Sequence, residues 1–187
     1  AFGAQAYGAA LAQRSGVPAA PPLSLYVHVP FCDTVCYYCA CNKVVTRDHS
    51  RAARYITAVL REAQLVAQQC THLGAVEQLH LGGGTPTYLS NDELHQLMSG
   101  LTALFPLAPR GEFGVEVDPR SAPADKIHTL AQLGFNRISI GVQDFDAQVQ
   151  QAVNRVQDFD LSAATVQTAR AAGFRSVNLD LIYGLPQ

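Results

Sequence analysis

SLYVHVPFCDTVCYYCAC, residues 24–41, runs a strand-like segment directly into four of the chain's five cysteines. In its first half Leu25, Val27 and Val29 alternate with Tyr26 and His28, the period of two that sends successive side chains to opposite faces of a sheet. A polar face therefore ends where the sulfurs begin. The fold depends on whether the other strands repeat that arrangement.

They do. EQLHLGG (77–83), GEFGVEVDP (111–119), RISIGVQ (137–143) and SVNLDLI (176–182) are the further strand-like runs. Leu79 and Leu81 oppose His80 and Gly82, and Val115 and Val117 oppose Glu116 and Asp118. Ile138, Ile140 and Val142 oppose Ser139, Gly141 and Gln143, while Val177, Leu179 and Leu181 oppose Asn178 and Asp180. Helical periodicity fills the gaps: Ile56, Val59, Leu60, Ala63 and Val66 in 51–70; Leu94, Leu97, Leu101 and Leu104 after a Ser90/Glu93 capping box; Ile127, Leu130 and Ala131 between Pro123 and Gly134; and 161–174 up to Gly173. Strands separated by helices predict a parallel sheet with right-handed crossovers.

Parallel strands buried on both faces read as unbroken apolar runs, and these do not. Burying one polar face under helices without partners would cost several kcal/mol per group. A curved sheet resolves the conflict: helices cover the apolar outside, and the polar side lines an interior that opens at the carboxyl ends of the strands. The expectation is an α/β fold, a partial (β/α) TIM-like barrel stopping after about the fifth strand, with residues 1–22 an N-terminal helical and linker segment and 23–187 the core domain.

With 187 residues, a formal charge of -2, 48% hydrophobic and 15% charged residues, the chain has material for one sizeable core. Near-neutral charge without a basic cluster argues against nucleic acid, and no apolar run approaches the ~20 residues of a membrane span. A cytoplasmic protein is expected. The start has no Met and no signal pattern, and both ends look cut.

Four cysteines within ten residues do not form a secreted disulfide framework. Cys32, Cys36 and Cys39 make C-x3-C-x2-C, and Cys41 adds C-x-C. Three thiolates from one loop can hold three irons of a 4Fe-4S cube and leave the fourth iron open for a ligand. A structural zinc site is the alternative, but it draws ligand pairs from separated knuckles, and Cys39 and Cys41 leave little loop between them. Cys70, at the end of a helical pattern, reads as a small buried hydrophobe.

C-x3-C-x2-C after the first strand of a βα-repeat chain resembles the radical S-adenosylmethionine (SAM) superfamily. LSLYVHVPFC, CxCNK, LGGGTPTYL, EVDPR, GVQDF, VNRVQ and NLDLIYGLP, in that order, are similar to its oxygen-independent coproporphyrinogen III dehydrogenases and cover nearly the whole chain from residue 23. That resemblance implies Cys32, Cys36 and Cys39 as cluster ligands. It implies Gly83, Gly84 and Thr85 around the methionine part of SAM, Tyr26 and Glu116 as SAM contacts, and Tyr38 as a backbone contact to adenine. Gln143, Arg155 and Asp180 resemble contacts to a second SAM, Arg155 as the bidentate grip on a carboxylate. Tyr26, Glu116, Gln143 and Asp180 also belong to the polar face derived above. His28 and His80 lie on it too, without an assigned role, and His49, His72, His95 and His128 need none. Asp118 and Arg120 are expected to make local turn and pairing contacts.

The chemistry implied is reductive cleavage of SAM to a 5′-deoxyadenosyl radical, hydrogen abstraction from two propionates of coproporphyrinogen III, and loss of carbon dioxide to leave the vinyls of protoporphyrinogen IX. A reductant such as flavodoxin or ferredoxin is implied, and a monomer at full length. A related haem-binding carrier is the rival reading; its cysteine run lacks the counterpart of Cys41. The family's sixth strand and C-terminal region are not found after Gln187, so the fifth strand is expected to present an open edge.

Overall fold

The computed structural model describes residues 3–15, 22–70 and 74–186. Residues 16–21 of the expected N-terminal helical and linker segment lie outside the described residues, as does His72. Helix α1 (Ala4–Ser15) rests on α2. None of the described helices is long and apolar enough to cross a membrane.

Strand β1 (Leu23–Val29) is followed by two short pieces, β2 (Phe31–Cys32) and β3 (Val44–Val45), which pair in parallel around the cysteine loop. Helix α2 (Ser50–Gln69), β4 (Val76–Gly83), α3 (Asn91–Leu104), β5 (Leu107–Val117), α4 (Ala124–Gln132), β6 (Arg137–Gln143), α5 (Ala147–Ala152), α6 (Phe159–Ala171) and β7 (Ser176–Leu181) complete the order. Five strands form one sheet in the order β1-β4-β5-β6-β7, every pair parallel. Each strand adds beside its predecessor with no reversal. A constant direction and hand of crossover keep all the helices on one side, which is the winding of a barrel rather than of a two-sided sheet.

The apolar halves of the alternation build the core between sheet and helices. Val29, Leu81, Val115, Ile138 and Ile140 are each fully inaccessible, and they join Ile56, Leu94, Leu97, Ile127 and Leu130 in one cluster. Removing an aliphatic side chain of this size from water is worth about 1.5–3 kcal/mol. The predicted capping box is present: the Ser90 hydroxyl accepts from Glu93 N at 3.2 Å, and Ser90 N donates to the Glu93 carboxylate at 2.8 Å.

Three departures have local causes. Strand β5 begins at Leu107 rather than Gly111, because the register slips between Val76–Leu107 and Gln78–Glu112, around Pro109, which cannot donate to a ladder. Helix α5 escaped the sequence reading because six residues are too few to show a period; Asp146 caps it by accepting from Gln148 N and Val149 N. Strand β7 alternates as expected, yet Leu179 is 46% and Leu181 61% exposed. Among the described residues it pairs with β6 alone.

Candidate functional site

The carboxyl ends of the strands and the cysteine loop enclose a cavity of about 320 Å³. Cys32, Cys36, Cys39 and Tyr38 enter it from the loop after β1, and Gly83, Gly84 and Thr85 from the end of β4. Glu116 reaches it from β5, Gln143 from β6, Asp180 from β7 and Arg155 from the turn between α5 and α6. Of the site residues that the resemblance implies, Tyr26 alone stands outside the lining; it lies 59% exposed on the inner face.

The cysteine loop is fixed at several points. Val44 N donates to Pro30 O at 2.7 Å and Thr46 N to Cys32 O at 2.9 Å, which closes its base. Tyr37 N donates to Val153 O at 3.0 Å and Asn154 Nδ2 to Val35 O at 2.7 Å, tying its tip to the end of α5. Lys43 Nζ donates to Cys39 O at 2.8 Å. The Cys32 sulfur lies 3.4 Å from Thr85 Oγ1, so the loop and the glycine segment meet. Burial, together with the neighbouring Cys39, Cys36 and Asp118, pushes the Cys32 thiol up. Cys41 is exposed and also lines the cavity; burial and the adjacent Cys39 raise it.

GGGT is shaped by close approach. Gly84 N donates to Val29 O at 2.8 Å, and a Cβ at Gly84 would sit 2.8 Å from the backbone of Pro30 and Phe31. Gly83 has φ +117, a conformation that favours glycine. Its N–H donates to a Glu116 carboxylate oxygen at 3.0 Å, and the other oxygen lies 3.1 Å from His80 Nε2. Tyr26 stacks on His80 with ring centres 5.9 Å apart, and its hydroxyl lies 3.1 Å from His28 Nδ1. His28 Nε2 donates to Asn42 O at 2.8 Å. The two unassigned histidines are thus pairing members of the polar face.

At the far side Gln143 has φ +72, a left-handed conformation that a non-glycine residue adopts at a cost, just where the β6–β7 register shifts. No sequence signal marks it. Asp180 faces the same cavity; burial first, then the charge of Glu116, raises its carboxyl.

Around Cys36 the arrangement is denser than expected. Arg155, in a loop where arginines are normally solvated, is 7% exposed. Its Nη1 donates to Asp118 at 3.1 Å and lies 3.6 Å from the Cys36 sulfur, and its Nη2 donates to Gly141 O at 2.7 Å. Arg120 does make the expected local pair with Asp118, Nη2 to Oδ2 at 2.7 Å, but the same nitrogen also reaches the Cys36 sulfur at 3.7 Å. Burial works against ionised Asp118, and the two guanidiniums outweigh it, holding the carboxyl below its usual range. EVDPR carried this pairing in plain view; its contact with a cysteine 84 positions earlier in the chain has no local signature.

These residues suit an iron-sulfur cluster with a bound SAM. Three cysteines of one loop face a single cavity, glycine backbone is bared beside them, and the buried Arg155 Nε has no protein partner.

Comparison with known proteins agrees. The oxygen-independent coproporphyrinogen III oxidase of Pseudomonas aeruginosa is 51% identical over 178 residues, covering 94% of this chain and 39% of that protein. The Escherichia coli enzyme of the same name is 46% identical over 187 residues, all of this chain and 40% of its own. The solved structure of the E. coli coproporphyrinogen III oxidase, described as a radical SAM enzyme, superposes with a TM-score of 0.91 at 46% identity over 99% of this chain and 42% of that one. The chain thus spans about two fifths of the length of the relatives it matches. With the radical SAM superfamily profile matching residues 26–187, and the cysteine loop facing the bared glycines across one cavity at the strand ends, the chain belongs to the radical SAM superfamily.

Proposed function

We propose that the chain forms the cofactor-binding core of an oxygen-independent coproporphyrinogen III oxidase of haem biosynthesis. The reading rests on one observation above all: eleven residues, drawn from the cysteine run and five later sequence motifs, line one cavity at the carboxyl rim. The identity to the P. aeruginosa and E. coli enzymes supports it.

When bound, the 4Fe-4S cluster and SAM supply one-electron chemistry able to take a hydrogen atom from an unactivated propionate carbon. Cys32, Cys36 and Cys39 hold the cluster. Gly83, Gly84 and Thr85 offer backbone and hydroxyl groups to the methionine end of SAM, Glu116 orients Gly83 from below, and Tyr26 closes the inner face. Tyr38 presents its backbone to the adenine. Gln143, Arg155 and Asp180 gather on the opposite wall, where they would contact a second SAM. The substrate is coproporphyrinogen III, the electron comes from flavodoxin or ferredoxin, and the full-length enzyme works as a cytoplasmic monomer. Residues 23–187 act as one domain.

Anaerobic reconstitution with iron and sulfide tests the centre. Cys32→Ala, Cys36→Ala and Cys39→Ala should each lose the 4Fe-4S absorption, while Cys41→Ala keeps it. Zinc in place of iron and sulfide, or loss of the cluster in Cys41→Ala alone, would overturn the three-thiolate site. For the reaction, full-length protein should convert coproporphyrinogen III to protoporphyrinogen IX under reducing anaerobic conditions. Stable haem binding without turnover would make it a carrier instead.

A further inference from the structure

Asp118, Arg120 and Arg155 form a charged array on one sulfur of the loop. Asp118 is the hub. Its carboxylate takes Arg120 Nη2 at 2.7 Å and Arg155 Nη1 at 3.1 Å, and its side chain is only 12% exposed. The side chain of Arg155 is 8% exposed and that of Arg120 25%. Two guanidiniums and one carboxylate leave one positive charge in excess, and both guanidiniums point it at the same atom, the Cys36 sulfur, at 3.6 and 3.7 Å. Among the described residues no guanidinium reaches the sulfur of Cys32 or Cys39: the Cys32 sulfur meets the neutral Thr85 hydroxyl, and Lys43 reaches the backbone carbonyl of Cys39 rather than its sulfur.

Arg120 is well held for the purpose. Asp118 caps the short 3-10 turn Pro119–Ser121, accepting from Arg120 N at 3.0 Å, and also takes Arg120 Nε at 3.0 Å. Backbone and side chain are thus fixed by one carboxylate, and little ordering entropy remains to be lost when the guanidinium meets sulfur. Ser121 Oγ lies 2.7 Å from Thr87 Oγ1, which joins the same turn to the segment after the glycines.

We propose that Arg120 is a positioning residue of the iron-sulfur centre: held by Asp118, it places positive charge and an N–H donor on the Cys36 sulfur and so raises the cluster's reduction potential. The inference rests on the reading that Cys36 is a cluster ligand. Adding an electron makes the cluster and its sulfurs more negative, and hydrogen bonds and positive charge at a ligand sulfur stabilise that reduced form. Asp118 acts in two ways. It fixes the arginines and offsets part of their charge, so neutralising it moves the potential the opposite way.

The test is an anaerobic redox titration of the reconstituted protein without SAM, followed by the electron paramagnetic resonance signal of the reduced cluster. Arg120→Gln should keep the parent's iron and sulfide content and shift its midpoint to more negative potential, by about tenfold in the reduction equilibrium or about 59 mV for one electron. Arg120→Lys should recover part of the shift, and Asp118→Asn should move the midpoint above the parent's. An Arg120→Gln midpoint equal to the parent's overturns the proposal, as does an equal shift in Arg120→Gln and Arg120→Lys. Should Arg120→Gln hold no iron, Asp118→Asn decides: a midpoint above the parent's supports the proposal, and one at or below it overturns it. Parent protein that takes up no 4Fe-4S cluster overturns the cluster reading itself, a separate outcome visible before any variant is titrated.

Discussion

Strands β4 and β7 are written in the same alternation and meet different fates. In β4, Leu79 and Leu81 are 2% and 0% exposed; in β7, Leu179 and Leu181 are 46% and 61% exposed. Strand β4 lies between β1 and β5, and its leucines share a core cluster with side chains of α2 and α3, whereas among the described residues β7 has a sheet neighbour on one side only. Period two assigns a side chain to a face, but only neighbouring elements bury that face. The two polar faces differ in the same sense. Near β4, the Glu116 carboxylate is satisfied by Gly83 N and faces His80, while Asp180 on β7 meets the negative charge of Glu116, which Arg155 offsets only in part.

Core truncation should expose the contrast most sharply. Leu81→Ala should cost about 2–5 kcal/mol, the transfer loss plus the cavity left in a region that cannot collapse. Leu181→Ala should stay within about 0.5 kcal/mol, as surface substitutions do. Urea unfolding of both variants measures the difference, and equal losses would break the comparison.

A smaller effect is expected where β4 meets the cysteine loop. Gly84→Ala places a methyl 2.8 Å from the Pro30 and Phe31 backbone, which has no flexible end to yield. Overpacking of this kind costs about 1–3 kcal/mol. Because the same backbone carries Cys32, the variant should also bind SAM more weakly after reconstitution, read by equilibrium binding. A variant as stable as the parent, with unchanged SAM affinity, would show that the rim near β4 is no more constrained than β7.

The smallest effect belongs to Asp180, whose folded-state carboxyl is raised by burial and by Glu116. Between the ordinary carboxylate range and that raised value the folded chain binds more protons than the unfolded one, so stability falls as pH rises through the window. At pH 7 the ionised group opposes folding, and Asp180→Asn should stabilise the apo-protein by about 0.5 kcal/mol or less, because the group is largely solvated and screened. The gain should vanish as pH falls below the folded-state value. Thermal melts at pH 7 and pH 4 check the sign, and a variant destabilised at pH 7 would mean that Asp180 has a favourable partner.

The order of the long strands and helices, and the face of each strand residue, were legible in the sequence, as were eleven residues that line the cavity at the carboxyl rim. These follow from local rules: a period of two or of 3.6, a capping box at Ser90, cysteines too closely spaced for separated knuckles, and motifs in a recognisable order. Short elements escaped, since two residues in β2 or six in α5 carry no period. Only the tertiary structure decided which equal patterns are buried, that Gln143 takes a left-handed backbone, that Arg155 is inaccessible in its loop, and that Arg120 and Arg155 converge on Cys36. Each of these depends on groups tens of residues apart in the chain. Burial and electrostatics act through space, and the side chains that share the Cys36 sulfur come from positions 36, 120 and 155, which share no sequence window.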